Sequence, residues 1–279
     1  MLLRTIALSA GCALLSATAL ADTSDIKAAN NQVGIQWTST NVNYTETGNG
    51  VLGANGATLD TEGGSVSGYA ISASVMKDLL LGNDYFSLEY NHASGSTNYV
   101  GASLTGGGVY GSLTASSGAT LINYSARYGK GFTNQNMPNV MVTPYVELGH
   151  HEWDRGVNTG ETYTNSYYGA GLLGQYSPIP KLVLSGNALI GETFGSNITA
   201  NAIPNLIPAF NGFSGGLGNS ALYKVGVSAD YAFTQNFHGN VGVDYTSFDY
   251  GASAIYSGYG EPNSTTAYTV ARVGIGYAF

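Results

Sequence analysis

The amino-acid sequence predicts an all-β protein whose sheet faces lipid. Charged residues make up only 9% of its 279 residues, against ~25% in an ordinary soluble domain, whereas Gly and Tyr occur 40 and 21 times. Many segments alternate apolar and polar residues with the period of two that is typical of strands. Such a chain has too little charge to cover a sheet with water on both faces, so we expect one face of each strand to meet lipid.

Charge and hydropathy exclude two other classes of protein. Nine Lys and Arg stand against seventeen Asp and Glu, for a net charge of −8, and no basic cluster is present that could bind nucleic-acid phosphates. Beyond the first 21 residues, no apolar stretch reaches the ~20 residues that a transmembrane helix requires. We therefore expect neither a nucleic-acid partner nor a helical membrane domain.

The first 21 residues have the features of a secretory signal peptide. Arg4 is their only charge, an apolar stretch follows, and Ala19 and Ala21 give the small-x-small pattern of a cleavage site. An alternative places a lipid-modified Cys12 at the mature N-terminus, and the intact mass of the mature protein would distinguish the two. With cleavage after Ala21, residues 22–31 form a short periplasmic segment and residues 32–279 form the barrel domain.

Ten segments alternate as expected of strands that cross an outer membrane, where ~9–11 residues span the lipid. They are Gln32–Tyr44, Val66–Val75, Tyr85–Asn91, Thr120–Tyr128, Val140–Gly149, Tyr167–Tyr176, Leu182–Ile190, Ala221–Phe233, Phe237–Ser247 and Thr265–Phe279. Short connections alternate strictly with long ones, which are Thr45–Ser65, His92–Ala119, His150–Ser166, Gly191–Ser220 and Phe248–Ser264. This alternation predicts short periplasmic turns and long extracellular loops.

These patterns predict a transmembrane, antiparallel, up-and-down β-barrel, with ten strands as the preferred count. Eight and twelve strands are the alternatives. Eight would leave apolar segments in loops, and twelve would require Asn98–Leu113 to span the membrane in spite of its three consecutive glycines.

The final strand carries a specific pattern. Outward-facing residues are spaced by two, and inward-facing residues lie between them; the outward set is Ala271, Val273, Ile275, Tyr277 and Phe279. This pattern resembles the terminal strand of small bacterial outer-membrane β-barrels of the opacity and outer-membrane-protein-A type. The resemblance implies an outer-membrane location. It also implies that the barrel assembly machinery, supplied by periplasmic chaperones, recognises Arg272, Gly274, Tyr277 and Phe279.

The inward faces of the strands carry a predicted ionic network, formed by Glu89, Arg127, Glu147, Lys224, Asp230, Asp244 and Arg272. Counting ~3.3 Å per residue from the periplasmic strand ends places most of them near a common height. Opposite charges at one level predict ion pairs between neighbouring strands, because an unpaired charge in a narrow lumen is costly. Since ten strands are closer to filled small barrels than to porins, we expect a largely closed lumen. A gate that opens a narrow pore is the alternative.

The long outer connections are strongly acidic. Arg155 is their one cation, and their carboxylates are Glu46, Asp60, Glu62, Glu152, Asp154, Glu161, Glu192, Asp249 and Glu261. This imbalance predicts an acidic crown that attracts cations. Within it, alternation puts His150, Glu152 and Asp154 on one face, where three such residues could ligate a metal, although a solvated loop stem is the preferred interpretation.

Catalytic patterns are weak. The chain lacks the Asp-x-His and Asp-x-Asp pairs of omptin-type proteases. Lipid-A deacylase and phospholipase barrels carry a His and a Ser on their lipid-facing wall. Here His150 alone is predicted to face outward near the membrane, and no serine stands out as its partner. We therefore assign no catalytic residue, no metal and no cofactor.

We expect an integral outer-membrane protein that is non-enzymatic, has a lumen largely closed by ion pairs, and serves envelope structure or surface interaction. The first alternative is a narrow, mildly cation-preferring channel for ions or small solutes, and the second is an outer-membrane barrel hydrolase. The expected partners are outer-membrane lipid and lipopolysaccharide, the assembly machinery with its chaperones, and a surface partner reached through the loops.

Overall fold

A computed structural model describes residues 23–102, 109–204 and 210–279. Over these residues the chain forms a short helix, one 3-10 turn at Val157–Thr159 and twelve strands. In chain order the helix and strands are α1 (Thr23–Ala29), β1 (Gln32–Thr47), β2 (Thr58–Lys77), β3 (Asp84–Gly101), β4 (Leu113–Lys130), β5 (Phe132–Asn134), β6 (Met137–Arg155), β7 (Glu161–Ile179), β8 (Leu182–Ala200), β9 (Phe213–Gly216), β10 (Ala221–Ala232), β11 (Phe237–Tyr250) and β12 (Asn263–Ala278). The predicted signal peptide, with Ala19 and Ala21, lies outside the described residues.

Ten of the described strands close into an antiparallel ring. The order around the ring is β1, β2, β3, β4, β6, β7, β8, β10, β11 and β12, and β12 pairs back with β1 along the full length of both strands. The two remaining strands are short and lie outside the ring: β5 pairs with β6, and β9 pairs with the outer end of β8. The ten-stranded barrel is therefore confirmed, and the structure excludes the alternatives of eight and twelve.

A band of exposed apolar side chains encircles the ring. On β1, for example, Ile35 and Trp37 both point outward and are 54% exposed. Aromatic side chains lie near both edges of this band, such as Tyr69 toward the outer edge and Tyr176 toward the periplasmic edge. Such a band fits the interior of a lipid bilayer, with the hydrocarbon chains around its middle and the headgroups at both edges.

Among the described residues, no helix is both long enough and apolar enough to cross a membrane.

The strands are longer than a membrane requires. β2 has 20 residues and β6 has 19, whereas ~9–11 residues span the lipid. The additional residues extend the outer ends, so a large part of the connections predicted to be long and extracellular is in fact strand. Above the lipid both faces of a strand can be polar, so the apolar alternation that identifies a strand in a sequence disappears there. The ring thus continues as a β-walled cup outside the membrane.

The helix α1 covers part of the periplasmic mouth. Its Ile26 is fully buried, and the following Asn30 donates a hydrogen bond from Nδ2 to Gln175 Oε1 on β7 at 2.6 Å. Asn31 bonds to the backbone of Met76 on β2 through both its amide nitrogen and its amide oxygen. Residues 26–31 of the predicted periplasmic segment are therefore attached to the barrel wall.

Candidate functional site in the barrel interior

Six charged side chains meet in the lumen at the level of the lipid. We call them the inner ionic layer: Glu89, Arg127, Glu147, Lys224, Asp244 and Arg272. Arg127 bonds to Glu147, which lies directly opposite on the neighbouring strand. Lys224 Nζ lies 2.6 Å from Glu147 Oε1, and Arg272 bonds to Asp244 and, at 2.8 Å, to Glu89 Oε2. Over the described residues, the layer holds three cations and three carboxylates and is electrically balanced.

Two of these contacts cross the lumen. Lys224 on β10 reaches Glu147 on β6, and Arg272 on β12 reaches Glu89 on β3, although other strands separate each pair in the ring. The sequence pattern predicted pairs between neighbouring strands only. Which residues face each other across the interior depends on the stagger with which the ring closes, and strand patterns do not contain that information. The inner ionic layer therefore ties together strands that are not neighbours in the ring.

Asp230 lies apart from this layer, which corrects its predicted place in the network. Its Oδ1 lies 2.5 Å from His238 Nδ1 on β11, and its Oδ2 accepts a hydrogen bond from Gln32 Nε2 at 3.2 Å. The two-residue period correctly predicted that the Asp230 side chain faces the lumen, but it did not predict the height of Asp230 along β10. Asp230 follows Lys224 by six residues, which is ~20 Å along a strand, so the two cannot meet at one level.

Side-chain rings fill the lumen above the inner ionic layer. This aromatic layer consists of Tyr44, His151, Trp153, Tyr163, Tyr167, Phe248, Tyr250 and Tyr268, none of which is more than 5% exposed. His151 on β6 stacks on Phe248 of β11, with ring centroids 5.1 Å apart and planes at 4°. Trp153, also on β6, meets Tyr44 of β1 edge-on at 5.2 Å. Because β6 lies across the ring from both β1 and β11, these contacts join opposite walls.

A second charged group lies above the aromatic layer, in the cup outside the membrane. We call it the outer acidic cluster: Arg155 with Glu46, Asp60, Glu62, Glu161 and Glu261. Arg155 Nε donates to Glu62 Oε2 at 2.8 Å and its Nη1 donates to Glu161 Oε2 at 3.2 Å. Glu46 and Asp60 each lie 3.5 Å from the same guanidinium. Over the part of the chain that the structure describes, five carboxyl groups thus surround one cation.

Tyrosines complete this cluster. The hydroxyls of Tyr44 and Tyr163 donate to Glu261 Oε1 at 2.9 Å and 2.6 Å. The Arg155 guanidinium lies 4.4 Å from the Tyr44 ring centroid, a distance at which the face of the ring attracts the cation. The guanidinium is itself buried.

The acidic crown predicted from the sequence therefore turns partly inward. The signal for this arrangement was present in the two-residue spacing of Asp60 with Glu62 and of Trp153 with Arg155, which continues the inward face of each strand. Because the sequence analysis assigned these residues to loops, it did not extend the inward faces of the strands to them. The stretch around Arg155 is strand rather than loop stem, and its face with Trp153 and Arg155 is buried, each being at most 2% exposed. The face with His150, Glu152 and Asp154 is partly exposed.

Burial raises the pKa of several carboxyl groups in the outer acidic cluster, which lies above the lipid-facing band. Loss of solvent, followed by repulsion from the Glu46 carboxylate, raises the pKa of Asp60 to about 9. Loss of solvent is also the main cause that raises the pKa of Glu161 and of Glu261. Asp60 therefore carries a proton at neutral pH.

A cleft with a volume of ≈ 270 Å³ adjoins the cluster at the outer end of the barrel. Glu46, Asp60, Glu161 and Glu261 contribute carboxyl groups to its lining. The remaining lining is largely apolar and includes Leu52, Leu59, Ile198, Ile203, Phe210, Phe213 and Tyr259. We call this space the outer cleft.

The lipid-facing wall holds a polar pair that the sequence did not predict. His150 Nδ1 lies 3.0 Å from Ser166 Oγ, and the two residues are direct partners across the β6–β7 ladder. They line an outward groove with apolar side chains of neighbouring strands, among them Leu148 and Phe194. The expectation that His150 has no serine partner is therefore wrong. Cross-strand register, which pairs residues far apart in sequence, decides such contacts.

The candidate metal face has no counterpart in the structure. Of the three residues proposed, His150 bonds to Ser166, and Asp154 accepts a hydrogen bond from Thr162 at 2.6 Å. In the described ranges, no group of three or more His, Cys, Asp or Glu side chains is arranged to hold a metal ion.

The predicted assembly signal lies on β12 and just beyond it. Tyr277 and Phe279 face outward and are 46% and 60% exposed, whereas Arg272 points into the lumen. Gly274 has a packing reason of its own, since a Cβ there would lie 2.3 Å from the Ile35 carbonyl oxygen of β1. The seam of the barrel therefore requires glycine at this position.

This chain is similar to several solved structures. The outer membrane protease OmpT from Escherichia coli matches with a TM-score of 0.56 at 12% identity, over 94% of this chain and 99% of that chain. Neisserial surface protein A matches at 14% identity over 88% of this chain and 97% of that one, with a TM-score of 0.31. The translocator domain of the autotransporter NalP from Neisseria meningitidis matches at 13% identity over 99% and 96%, with a TM-score of 0.36. No protein-family model and no curated protein sequence matches this chain.

The likeness to OmpT is one of fold, at an identity too low to carry activity across. Together with the closed ring and its apolar band, it decides the class. This chain is an integral β-barrel protein of the bacterial outer membrane.

Proposed function

We propose that this barrel is non-enzymatic, conducts no solute and acts through its outer face in envelope structure or surface interaction. The aromatic layer is the observation that carries the proposal. Its rings come from opposite walls, contact one another in the lumen and are almost completely buried. An ion that crossed the barrel would have to part these rings or shed its water among them.

The inner ionic layer supports the same function. Glu147 is fully buried and bonds to Arg127, Lys224 and the Tyr167 hydroxyl at once. A channel lining keeps its charges free to exchange with passing ions, whereas these charges are held by partners on both walls. Opening the layer as a gate would leave charges without partners in a narrow interior, at a cost of roughly 3–5 kcal/mol for each broken buried pair.

Planar-bilayer recording of the refolded mature chain tests the proposal. The expected result is silence from the wild type. The double variant Phe248→Ala with Tyr268→Ala removes two rings of the aromatic layer and should give steady openings. Tyr245→Ala, which removes a lipid-facing ring of the same strand β11, is the matched control and should stay silent. Steady openings from the folded wild type would contradict the proposal and favour the narrow channel.

A hydrolase is the second candidate function, and one observation favours it. The His150–Ser166 contact places a hydroxyl nucleophile within hydrogen-bond reach of a base, in a groove that faces lipid. Glu152 lies on the same face of β6, two residues along, but over the described residues no carboxylate hydrogen-bonds to the His150 ring. The pair therefore has a base but lacks the orienting group that activates such a serine.

Lipid hydrolysis separates the two candidates. Refolded protein is incubated with vesicles of phospholipid and lipopolysaccharide, and free fatty acid is measured by mass spectrometry. We expect no release above protein-free vesicles. Release that disappears in Ser166→Ala would establish the hydrolase. Ser94→Ala is the matched control, because Ser94 also bonds across a strand pair, to Thr120, outside the groove.

A further inference from the structure

The outer acidic cluster has more carboxyl groups than its own cation can pair. Arg155 is shared among Glu46, Asp60, Glu62 and Glu161, and Glu261 depends on two tyrosine hydroxyls. Buried carboxyl groups in proteins normally have a matching cation or a full set of hydrogen-bond donors. Four of its carboxyl groups line one cleft, so a cation that enters this cleft can take the place of the protons that neutralise them.

One lining residue shows this deficit directly. Asp60 is only 6% exposed, and its Oδ1 has no hydrogen-bond partner. Its neighbour across the β1–β2 ladder is another carboxyl residue, Glu46, which shares a hydrogen bond with Asp60 while Asp60 carries a proton and repels it once that proton has left. An unsatisfied buried acceptor costs roughly 1–3 kcal/mol, and a ligand that donates to it recovers that cost.

The rest of the cleft lining indicates which chemical group a cationic ligand should carry beside its positive charge. Phe210 is 9% exposed and lies edge-on to Tyr259 at 4.7 Å, and Phe213 stacks on Tyr256 at 4.9 Å. An inorganic cation has no apolar surface to bury against these rings, and a neutral apolar ligand would leave the carboxyl groups without a cation. A volume of ≈ 270 Å³ fits one small molecule or one large side chain.

We propose that the outer cleft binds an organic ammonium ion that carries an apolar, preferably aromatic, group. The ammonium donates to Asp60 and its neighbouring carboxyl groups, and the apolar group packs against Phe210 and the adjacent aliphatic side chains. This inference rests on the proposed function, since it names the kind of ligand that the outer face receives.

Binding is coupled to proton release. An ammonium ion needs Asp60 as a carboxylate, so the proton that burial places there must leave when the ligand enters. Affinity should therefore increase with pH up to the pKa of Asp60, about 9. The titratable and charged groups that surround Asp60 are Tyr44 and Glu46 on β1, Glu62 on β2, Tyr99 on β3, Arg155 on β6, Glu161 and Tyr163 on β7, and Glu261 before β12.

The test compares two probes of nearly equal shape by titration calorimetry with the refolded full barrel in micelles. The cationic probe is 2-phenylethylammonium, and 2-phenylethanol replaces its ammonium by a hydroxyl group. At about pH 8.5, where an alkylammonium is still charged, we expect saturable binding of the cation and at least about tenfold weaker binding of the alcohol. Empty micelles correct for partition of the probes. Between about pH 6 and about pH 8.5 the affinity for the cation should increase.

Three variants assign the contacts. Asp60→Asn replaces a protonated carboxyl group by an amide that cannot become a carboxylate. It should fold, but bind the ammonium at least about tenfold more weakly at about pH 8.5. Phe210→Ala should weaken the binding of both probes. Glu192→Gln is the matched control, because this carboxylate bonds to Tyr168 on the outside of the wall, and it should bind like the wild type.

Equal affinity for the two probes would overturn the inference by making the cleft simply apolar. A Phe210→Ala variant that binds like the wild type would overturn it by making the site one for any cation. Absence of saturable binding to the folded wild type up to about 10 mM would overturn it outright. A conductance measurement separates this inference from the proposed function. A barrel that conducts no ions and binds no ammonium refutes the inference and leaves the closed lumen intact. A barrel that conducts ions and binds the ammonium refutes the closed lumen and leaves the inference intact.

Discussion

The inner ionic layer and the outer acidic cluster contain the same residue types at two heights of one barrel, but their charge balance differs. In the inner layer, Arg127, Lys224 and Arg272 face three carboxylates and every cation has a close partner. In the outer cluster, Arg155 serves four carboxylates and a fifth lies beside it. A balanced group can hold two walls together without further help, whereas an unbalanced one requires a proton or a ligand.

The largest expected difference concerns the cations. Arg155→Met removes the guanidinium from the outer cluster and should lower the free energy of unfolding by roughly 3–5 kcal/mol, because fully buried Glu62 loses its cationic partner and is left with the Thr97 hydroxyl. Arg127→Met should lower it by only about 1–3 kcal/mol, since Glu147 keeps Lys224 and the Tyr167 hydroxyl. Urea unfolding followed by far-ultraviolet circular dichroism measures both. Equal losses would show that the outer cluster does not depend on one cation.

The carboxylates should differ in the opposite sense at pH 7. Asp244→Asn takes a charged partner from Arg272 and should cost about 1–3 kcal/mol of unfolding free energy. Asp60→Asn should change stability little, since burial raises the pKa of Asp60 to about 9 and the wild-type group already carries a proton. The same unfolding assay applies to both variants. A large loss in Asp60→Asn would mean that this carboxyl group is ionised and firmly paired, and the contrast between the two layers would disappear.

The smallest expected effect, counted per pH unit, is a pH dependence that belongs to the outer cluster. The pKa of Asp60 is about 9 in the folded barrel and 3.8 as its ordinary value, so its contribution to stability is complete below about pH 4 and is lost as pH rises toward 9. Unfolding free energy should fall with increasing pH by on the order of 1 kcal/mol per unit or less. Asp60→Asn should flatten this dependence, and Asp244→Asn should leave it intact. A wild-type stability that rises between pH 6 and about 9 would reverse the assigned sign.

The sequence predicted the barrel well because lipid constrains one face of each strand. Alternation identified all ten ring strands, and the inward position of Arg127 and Glu147 follows from the same period. It could not predict that Lys224 reaches Glu147, because that contact depends on the stagger of the closed ring. The outer cluster was missed for another reason. Beyond the lipid, the outward face of a strand meets water and need not be apolar. The outer ends of the strands that carry Glu46, Asp60 and Arg155 therefore lack the apolar alternation of a strand, and the sequence predicted them as loops.

The height of the cup has a consequence for how fast a ligand arrives. A strand of 20 residues, tilted as in other barrels, rises on the order of 50 Å, about twice the ~25 Å apolar band. The outer cleft therefore stands in bulk solution, away from the charges of the headgroups, and a ligand encounters it by free three-dimensional diffusion. The excess of acidic residues at the outer end of the barrel attracts cations over a Debye length, ~8 Å at physiological salt, so the association rate of a cationic ligand should decrease steeply as salt is added.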